Sequence, residues 1–181
     1  RKKKKRNLAK SINLGIRKSK YENLIWMDAD YQHPPKYITT IFKHIKNYDA
    51  IIFSRFLKKS IRYFDKDKEL KEPNENQSIY FNKICNVLFY KNLTDYTSGY
   101  ICIKKRKLTK YKLKGYYGEY FLNLLIYLKK KNLKIIELPF NEKLRKTGYS
   151  KTIGGSKFRY IYVCLNYILS ITKNLILKLF T

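Results

Sequence analysis

A chain of 181 residues is long enough for one domain with its own core and too short for two full ones. With 44% hydrophobic and 16% aromatic residues it is not a disordered polyelectrolyte, although 41 Lys and Arg stand against 13 Asp and Glu. The resulting +28 does not by itself make a nucleic-acid binder: the excess is mostly scattered Lys, in a background of Ile, Asn, Tyr and Phe with three Ala, the residues of A/T-rich codons. Membrane headgroups and phosphorylated substrates suit that charge as well. Three cysteines without C-x-x-C spacing argue against a disulfide framework and a zinc site, and point to a reducing compartment. The chain opens on Arg1 with no signal-peptide pattern, and an N-terminal portion is expected to be missing.

In chain order, Arg1 to Arg6 is a solvated basic run, and Leu8, Ala9, Ile12 and Ile16 recur at helical spacing. Leu24 to Met27 is a buried strand that delivers Asp28 and Asp30 at its C-terminal end. Pro34-Pro35 then opens a helix carrying Tyr37, Ile38, Ile41, Phe42 and Ile45. Asp49 to Phe53 reads as a second buried strand, and residues 57 to 77 as a long polar loop. Ser78 to Tyr90 reads as a helix packed through Ile79, Ile84, Val87 and Leu88. Tyr100 to Ile103 is a strand, Tyr117 to Leu128 an amphipathic helix, and Leu133 to Leu138 a strand stopped by Pro139. Strands alternating with helices predict an α/β layered fold with mostly parallel strands. From Phe158 to Phe180 the chain is apolar, but its longest uncharged run, Tyr160 to Thr172, has 13 residues. That is short of the roughly 20 that cross a bilayer, so an interface helix or an ordinary core helix is expected.

The sharpest local signal is Asp28-Ala-Asp30-Tyr-Gln32-His33-Pro-Pro35. Two carboxylates just past a strand can converge on a hard divalent cation, with the Gln32 amide oxygen as a third ligand, at the sheet edge where open α/β folds bind ligands. The bland alternative is a pair of acids capping the next helix. His33 reads as a loop-orienting residue rather than a base, and His44 as a solvated helix position. Thr97-Ser98-Gly99 is open between a plain turn and a site segment. Gly154-Gly155-Ser156 reads as a hinge into the last helix.

The segment L-I-W-M-D-A-D-Y-Q-H-P-P-K resembles the signature of family 2 glycosyltransferases, in the branch of dolichyl- or polyprenyl-phosphate mannose or glucose synthases. Asp49-Ala-Ile-Ile-Phe-Ser-Arg55 resembles the D-I-V-x-G-S-R of that family, with Phe53 in place of a small residue. Asp95-Tyr-Thr-Ser-Gly-Tyr100 resembles its D-x-T-S-G-F, and Arg145-Lys-Thr-Gly-Tyr-Ser-Lys151 its R-x-x-G-x-S-K; Ser78 and Asn82 match a family Ser and Asn. The resemblance implies a GT-A type nucleotide-sugar fold, Rossmann-like and N-terminally incomplete, with a C-terminal amphipathic helix. The catalytic part would span residues 1–156 and a membrane-interface helix residues 157–181.

It further implies Mg²⁺ or Mn²⁺ held by Asp28, Asp30 and Gln32, with Asp30 and Arg55 as the catalytic pair. Arg145 and Lys151 would neutralise the donor phosphates. Arg55, Ser78 and, loosely, Arg62 would meet the acceptor, with Glu119, Thr97 and Ser98 as further site residues. The implied reaction inverts a hexose, mannose foremost, from a GDP-mannose or UDP-glucose type donor onto a polyprenyl or dolichyl phosphate. Its implied place is the cytoplasmic face of a membrane, with peripheral or monotopic attachment and no nucleic-acid partner. The alternatives are a family 2 enzyme with another acceptor in cell-surface polysaccharide synthesis, or a non-catalytic basic protein on membranes or RNA. No Ser-His-Asp or Cys-His arrangement is needed, because a phosphate monoester with a second pKa of about 6 is already an anionic nucleophile at neutral pH.

Overall fold

The computed structural model describes residues 7–60, 75–143 and 157–179. Asn7 opens the first helix, α1 (Leu8–Lys18), by accepting a 2.7 Å bond from the Lys10 amide on its side-chain oxygen. Strand β1 (Asn23–Trp26) follows, then a single 3₁₀ turn at Pro35–Tyr37 leading into α2 (Ile38–His44). Next come β2 (Ala50–Ser54), α3 (Glu75–Leu88), β3 (Ile101–Lys104), α4 (Glu119–Lys130), β4 (Ile135–Pro139) and α5 (Lys157–Leu179).

The four strands form one sheet in the order β1-β3-β2-β4. Strands β1, β2 and β4 run the same way, as the alternating pattern predicts, but β3 is inserted between β1 and β2 against them. Two of the three pairings are therefore antiparallel, and the sheet is mixed rather than mostly parallel. Local periodicity fixes that a segment is a strand; it does not fix which neighbour that strand bonds to.

Every residue of β2 is buried. Its side chains alternate between two cores, as a pleated strand requires. Ala50 and Ile52, with Ile101 and Ile103 of β3, face the larger core built from α1, α3 and α4. Ile51 and Phe53, with Tyr100 and Cys102, face a smaller one closed by Ile41 of α2 and by Leu138 and Phe140. The result is three layers, helices on both faces of the sheet.

On α4 the expected stripe of Phe121, Leu124, Leu125 and Leu128 is buried, with Tyr117 half-buried just ahead of the helix, but Tyr120, Leu122 and Ile126 are buried as well, so the helix is enclosed on more than one face. On α3 the period is right and the phase is not: Ile84 and Val87 are 53% and 73% exposed. Of the expected packing residues, Leu88 does reach the main core and Ile79 is half-buried, but the buried positions among the described residues of the helix are Asn82 and Cys85.

Helix α5 lies alongside α3 and α4, parallel to both. Its first turns meet the start of α3, where the Tyr160 hydroxyl bonds Gln77, and its last turn meets the end of α3, where Lys178 Nζ donates to the Leu88 carbonyl at 3.1 Å. Against α4, Asn174 donates to the Asn123 side-chain oxygen at 2.7 Å, and Lys130 Nζ donates to the Leu177 carbonyl at 3.1 Å. Tyr167 packs its ring against Phe81 and puts its hydroxyl where a Cβ on residue 118 would stand, which is why Gly118 has no side chain. The opposite face, with Ile161, Leu165, Ile168 and Leu169, is about half to two-thirds exposed (50% to 66%).

Candidate active site

Because β1 and β2 point the same way, the carboxylate loop after β1 and Arg55 after β2 emerge on one edge of the sheet. The loop that feeds β3 enters between them, with Trp26 paired to Ile101 on one side and the Phe53 amide donating to the Tyr100 carbonyl at 3.0 Å on the other. Three segments far apart in sequence converge there for a topological reason, and this is the edge at which such sheets bind ligands.

The floor of the site is aromatic. His33 stacks on Tyr100 with centroids 4.9 Å apart and planes 14° apart, and Phe140 meets its edge at 5.6 Å. Phe53 lies 4.5 Å from Tyr100, so the residue that departs from the family pattern fills this floor. His33 Nδ1 accepts a 3.0 Å bond from the Asp28 amide, and Tyr100 donates from its hydroxyl to the Pro34 carbonyl at 3.1 Å. These two bonds hold the carboxylate loop at both ends. Within it, Asp30 Oδ1 accepts from the Gln32 amide at 3.1 Å, and Tyr31 sits at φ +70°, a left-handed conformation unusual for a bulky residue. Asp28, Asp30 and Gln32 are thus carried on one pinned, strained turn. His33 serves as the orienting residue the prolines suggest. Burial, and next the positive charge of Arg55, lower its pKa to about 4, which keeps Nδ1 unprotonated and able to accept.

Arg55 is placed differently from expectation. A guanidinium reserved for a substrate phosphate would present an open fork. Here the fork is closed on Asp95: Nε to Oδ2 and Nη2 to Oδ1, both at 2.9 Å. Nη2 also donates to the Thr97 hydroxyl at 2.7 Å, and Nη1 stands 3.7 Å from Glu142. The Asp95 carboxylate is fully buried and accepts three further bonds, from the Arg55 amide and from the Thr97 amide and hydroxyl at 3.0 to 3.1 Å. Burial alone would raise its pKa; the Arg55 charge and these bonds outweigh it and hold the carboxyl below its usual range.

Thr97 and Ser98 belong to this scaffold. Thr97 Oγ1 also accepts from Asn82 Nδ2 at 3.1 Å, while the Ser98 hydroxyl donates to the Phe53 carbonyl, and Gly99 turns the chain at φ +71°. Ser78 contributes its carbonyl, which accepts from Asn82 Nδ2 at 2.8 Å. Glu119 is buried at the start of α4 and accepts from the amides of Tyr116 and Tyr117 at 2.6 and 3.0 Å, so both its oxygens hold the preceding loop. Arg62, Arg145, Lys151 and the glycine hinge at 154–156 lie outside the described residues.

Between α3 and the loop after β2 lies an open-sided cavity of about 650 Å³. Arg55, Lys83, Ser60, Asn82, Asn86 and Thr94 give it polar groups, and Phe56, Leu57, Ile79 and Val87 an apolar wall. The residues that sequence reading missed are Thr94, Glu137 and Glu142, which gather around Arg55 and Asp95. A lone charge inside the apolar run Ile-Ile-Glu-Leu was the available signal, because a buried carboxylate demands partners.

A mixed α/β sheet with helices on both faces, and with the carboxylate loop and the clamped arginine at one edge, accords with a glycosyltransferase fold of the GT-A type. Residues 1–112 match the family described as Glycosyl transferase family 2, and the chain belongs to that family. It is also 27% identical, over 171 residues, to a protein of Pyrococcus furiosus named dolichol-phosphate mannosyltransferase. That match covers 89% of this chain and 45% of the relative, so the chain spans less than half the length of that curated protein.

The neutral His33 makes a pH prediction. Its folded pKa of about 4 lies below the 6.5 of a free imidazole, so the unfolded chain binds a proton first as pH falls. The His33 contribution is therefore complete above about pH 6.5 and is lost on acidification toward pH 4, by roughly 3 kcal/mol. Denaturant unfolding across that window should show the loss, and His33→Asn, which keeps an acceptor without the titration, should flatten it. An equal slope in the variant would remove His33 as the cause.

Proposed function

We propose that this protein transfers a hexose, mannose foremost, from a nucleotide diphosphate sugar to a polyprenyl or dolichyl phosphate at the cytoplasmic face of a membrane. The observation that carries the reading is the cavity of about 650 Å³ whose lining includes the cations Arg55 and Lys83 together with the apolar Phe56, Leu57, Ile79 and Val87. An amphiphile with an anionic head is the ligand chemistry such a cavity matches, and the carboxylate loop stands on the same sheet edge. The name of the Pyrococcus relative, dolichol-phosphate mannosyltransferase, supports mannose as the sugar and a dolichyl phosphate as the acceptor.

Chemically, the acceptor phosphate brings its own negative charge and needs no general base. The protein's part is to align acceptor and anomeric carbon, to offset repulsion between phosphates and to stabilise the leaving diphosphate. Arg55 suits the second task as a fixed cation: Asp95 takes its fork, so it offers oriented charge rather than bidentate capture, and Lys83 adds a mobile point charge. Arg145 and Lys151 are the proposed partners of the donor phosphates.

Among the described residues no three His, Cys, Asp or Glu side chains gather as a metal cluster. Asp28, Asp30 and the Gln32 amide oxygen still fit a hard ion such as Mg²⁺ or Mn²⁺, which characteristically takes one or two carboxylates and completes its shell with substrate phosphates and water. Bound there, it would supply Lewis-acid stabilisation of the departing diphosphate.

The proposed attachment uses α5 as an interface helix, with the catalytic part in residues 1–156. By length and composition Phe158–Leu179 could cross a membrane. Its bonds to Asn123, Leu88 and Lys130 favour a helix lying along the domain with its apolar outer face toward lipid. Val87 of α3 lines the cavity and is exposed, as are Tyr80 and Ile84 of the same helix, so α3 offers apolar surface along which a lipid tail could pass from the open side of the cavity.

Two measurements test this. Incubated with radiolabelled GDP-mannose or UDP-glucose and a polyprenyl phosphate, the protein should form a glycolipid, and Asp30→Ala should lower the rate at least about a hundredfold without changing the fold. Product formation unaffected by Asp30→Ala would overturn the assigned site. Replacing Ile161, Leu165 and Leu169 together by Gln should release the folded protein from anionic vesicles in flotation; retention of the triple variant at high salt would place the anchor elsewhere.

A further inference from the structure

Glu137 lies in β4 opposite Ile52 of β2, inside an otherwise apolar strand. Its side chain turns to the loop that precedes β3. Oε2 accepts from the Thr94 amide at 2.8 Å and from the Thr94 hydroxyl at 2.9 Å, and Oε1 accepts from the Asp95 amide at 3.1 Å. Three donors fill both oxygens, an arrangement only a carboxylate can meet in full. The direction of the neighbouring bonds follows. Thr94 Oγ1 spends its single proton on Glu137, so in its 2.7 Å contact with Ser54 Oγ it accepts, and Ser54 Oγ in turn accepts from the Phe56 amide at 3.1 Å. A chain of hydrogen bonds with one sense thus runs from the residues on either side of Arg55 to Glu137, while the Asp95 amide is held from the same carboxylate.

We propose that Glu137 is the positioning residue for Arg55: by anchoring Thr94 and Asp95 to β4 it fixes the guanidinium that lines the cavity, and so sets the affinity of that cavity for a phosphate-bearing ligand. The second half rests on the proposed function; the first does not. Burial raises the Glu137 carboxyl against its three bonds, with the Asp95 charge adding to the rise, which marks how confined the group is. Glu137→Gln keeps the volume but turns an amide NH₂ toward donors that already need an acceptor, so the anchor is lost while the strand remains.

The experiment reads Arg55 directly, by ¹⁵N NMR of its Nε–H, which donates to Asp95 at 2.9 Å. In Glu137→Gln its hydrogen exchange should accelerate about tenfold, the worth of one charge-assisted bond, while the amides of Ile51 and Ile101 keep their rates. Thr94→Val, which removes only the hydroxyl, should move it less and in the same direction, and decides the matter should the first variant fail to fold. An unchanged Arg55 rate, or core amides accelerating in step with it, overturns the proposal. Titration with farnesyl phosphate supplies the functional arm. Glu137→Gln and Arg55→Lys should each weaken binding about tenfold, and the double variant should bind no worse than Arg55→Lys alone, because one residue acts through the other. Additive losses contradict positioning. Farnesyl phosphate binding that ignores Arg55→Lys overturns the phosphate reading of the cavity and leaves the exchange result to judge Glu137.

Discussion

The ion pair between Arg55 and Asp95 is the constraint on which the rest of the site depends. Taking a guanidinium and a carboxylate out of water is costly, and the attraction between them offsets that cost only when the remaining donors and acceptors are also satisfied. The fold meets that condition with the Arg55 amide and both donors of Thr97, which fill the Asp95 carboxylate, while Asn82 reaches from α3 to hold the Thr97 hydroxyl in place. Satisfying Asp95 therefore dictates the course of residues 94 to 99, and that course delivers β3 into the sheet between β1 and β2. The antiparallel insertion and the charge buried at the sheet edge are two aspects of one arrangement.

The same economy governs the carboxylate loop. His33 is buried beneath it as a neutral ring because Asp28's amide needs an acceptor and Tyr100 offers a flat surface. Asp28, Asp30 and Gln32 are left on a turn with one left-handed residue, Tyr31. Strain of that kind persists where surrounding contacts over-determine it, and here the stacked His33 and the Tyr100–Pro34 bond do so. Helix α5 connects this centre to the surface: the Tyr167 hydroxyl occupies the space over Gly118, next to Glu119, which in turn holds the loop ahead of α4.

Much of this was legible in the sequence, and what was not has a physical reason. The carboxylate loop and the strand before it could be read because a short apolar run ending in D-A-D admits few other structures, but the expected burial of that strand was wrong: among the described residues β1 is an edge strand in which only Leu24 is buried and Ile25 is exposed. The helix stripe on α4 was legible because its core face is uninterrupted. The packed face of α3 was not: Asn82 turns inward to satisfy the Tyr96 amide and Thr97, and a polar residue on the core side inverts any reading by hydropathy. Arg55 could be picked as a functional cation, but its partner stands 40 residues away and no local rule pairs them. Glu137 announced itself only as a charge out of place in a strand.

If the Arg55–Asp95 pair organises the site, removing the carboxylate charge alone must destabilise the whole domain. Asp95→Asn preserves shape and removes the charge that clamps the fork, leaving Arg55 only the more distant Glu142, 3.7 Å from Nη1, as a counter-charge. Equilibrium unfolding should then show a loss of about 3–5 kcal/mol, the cost of breaking a buried pair from one side. A loss below about 1 kcal/mol, the range of exposed pairs, would contradict it.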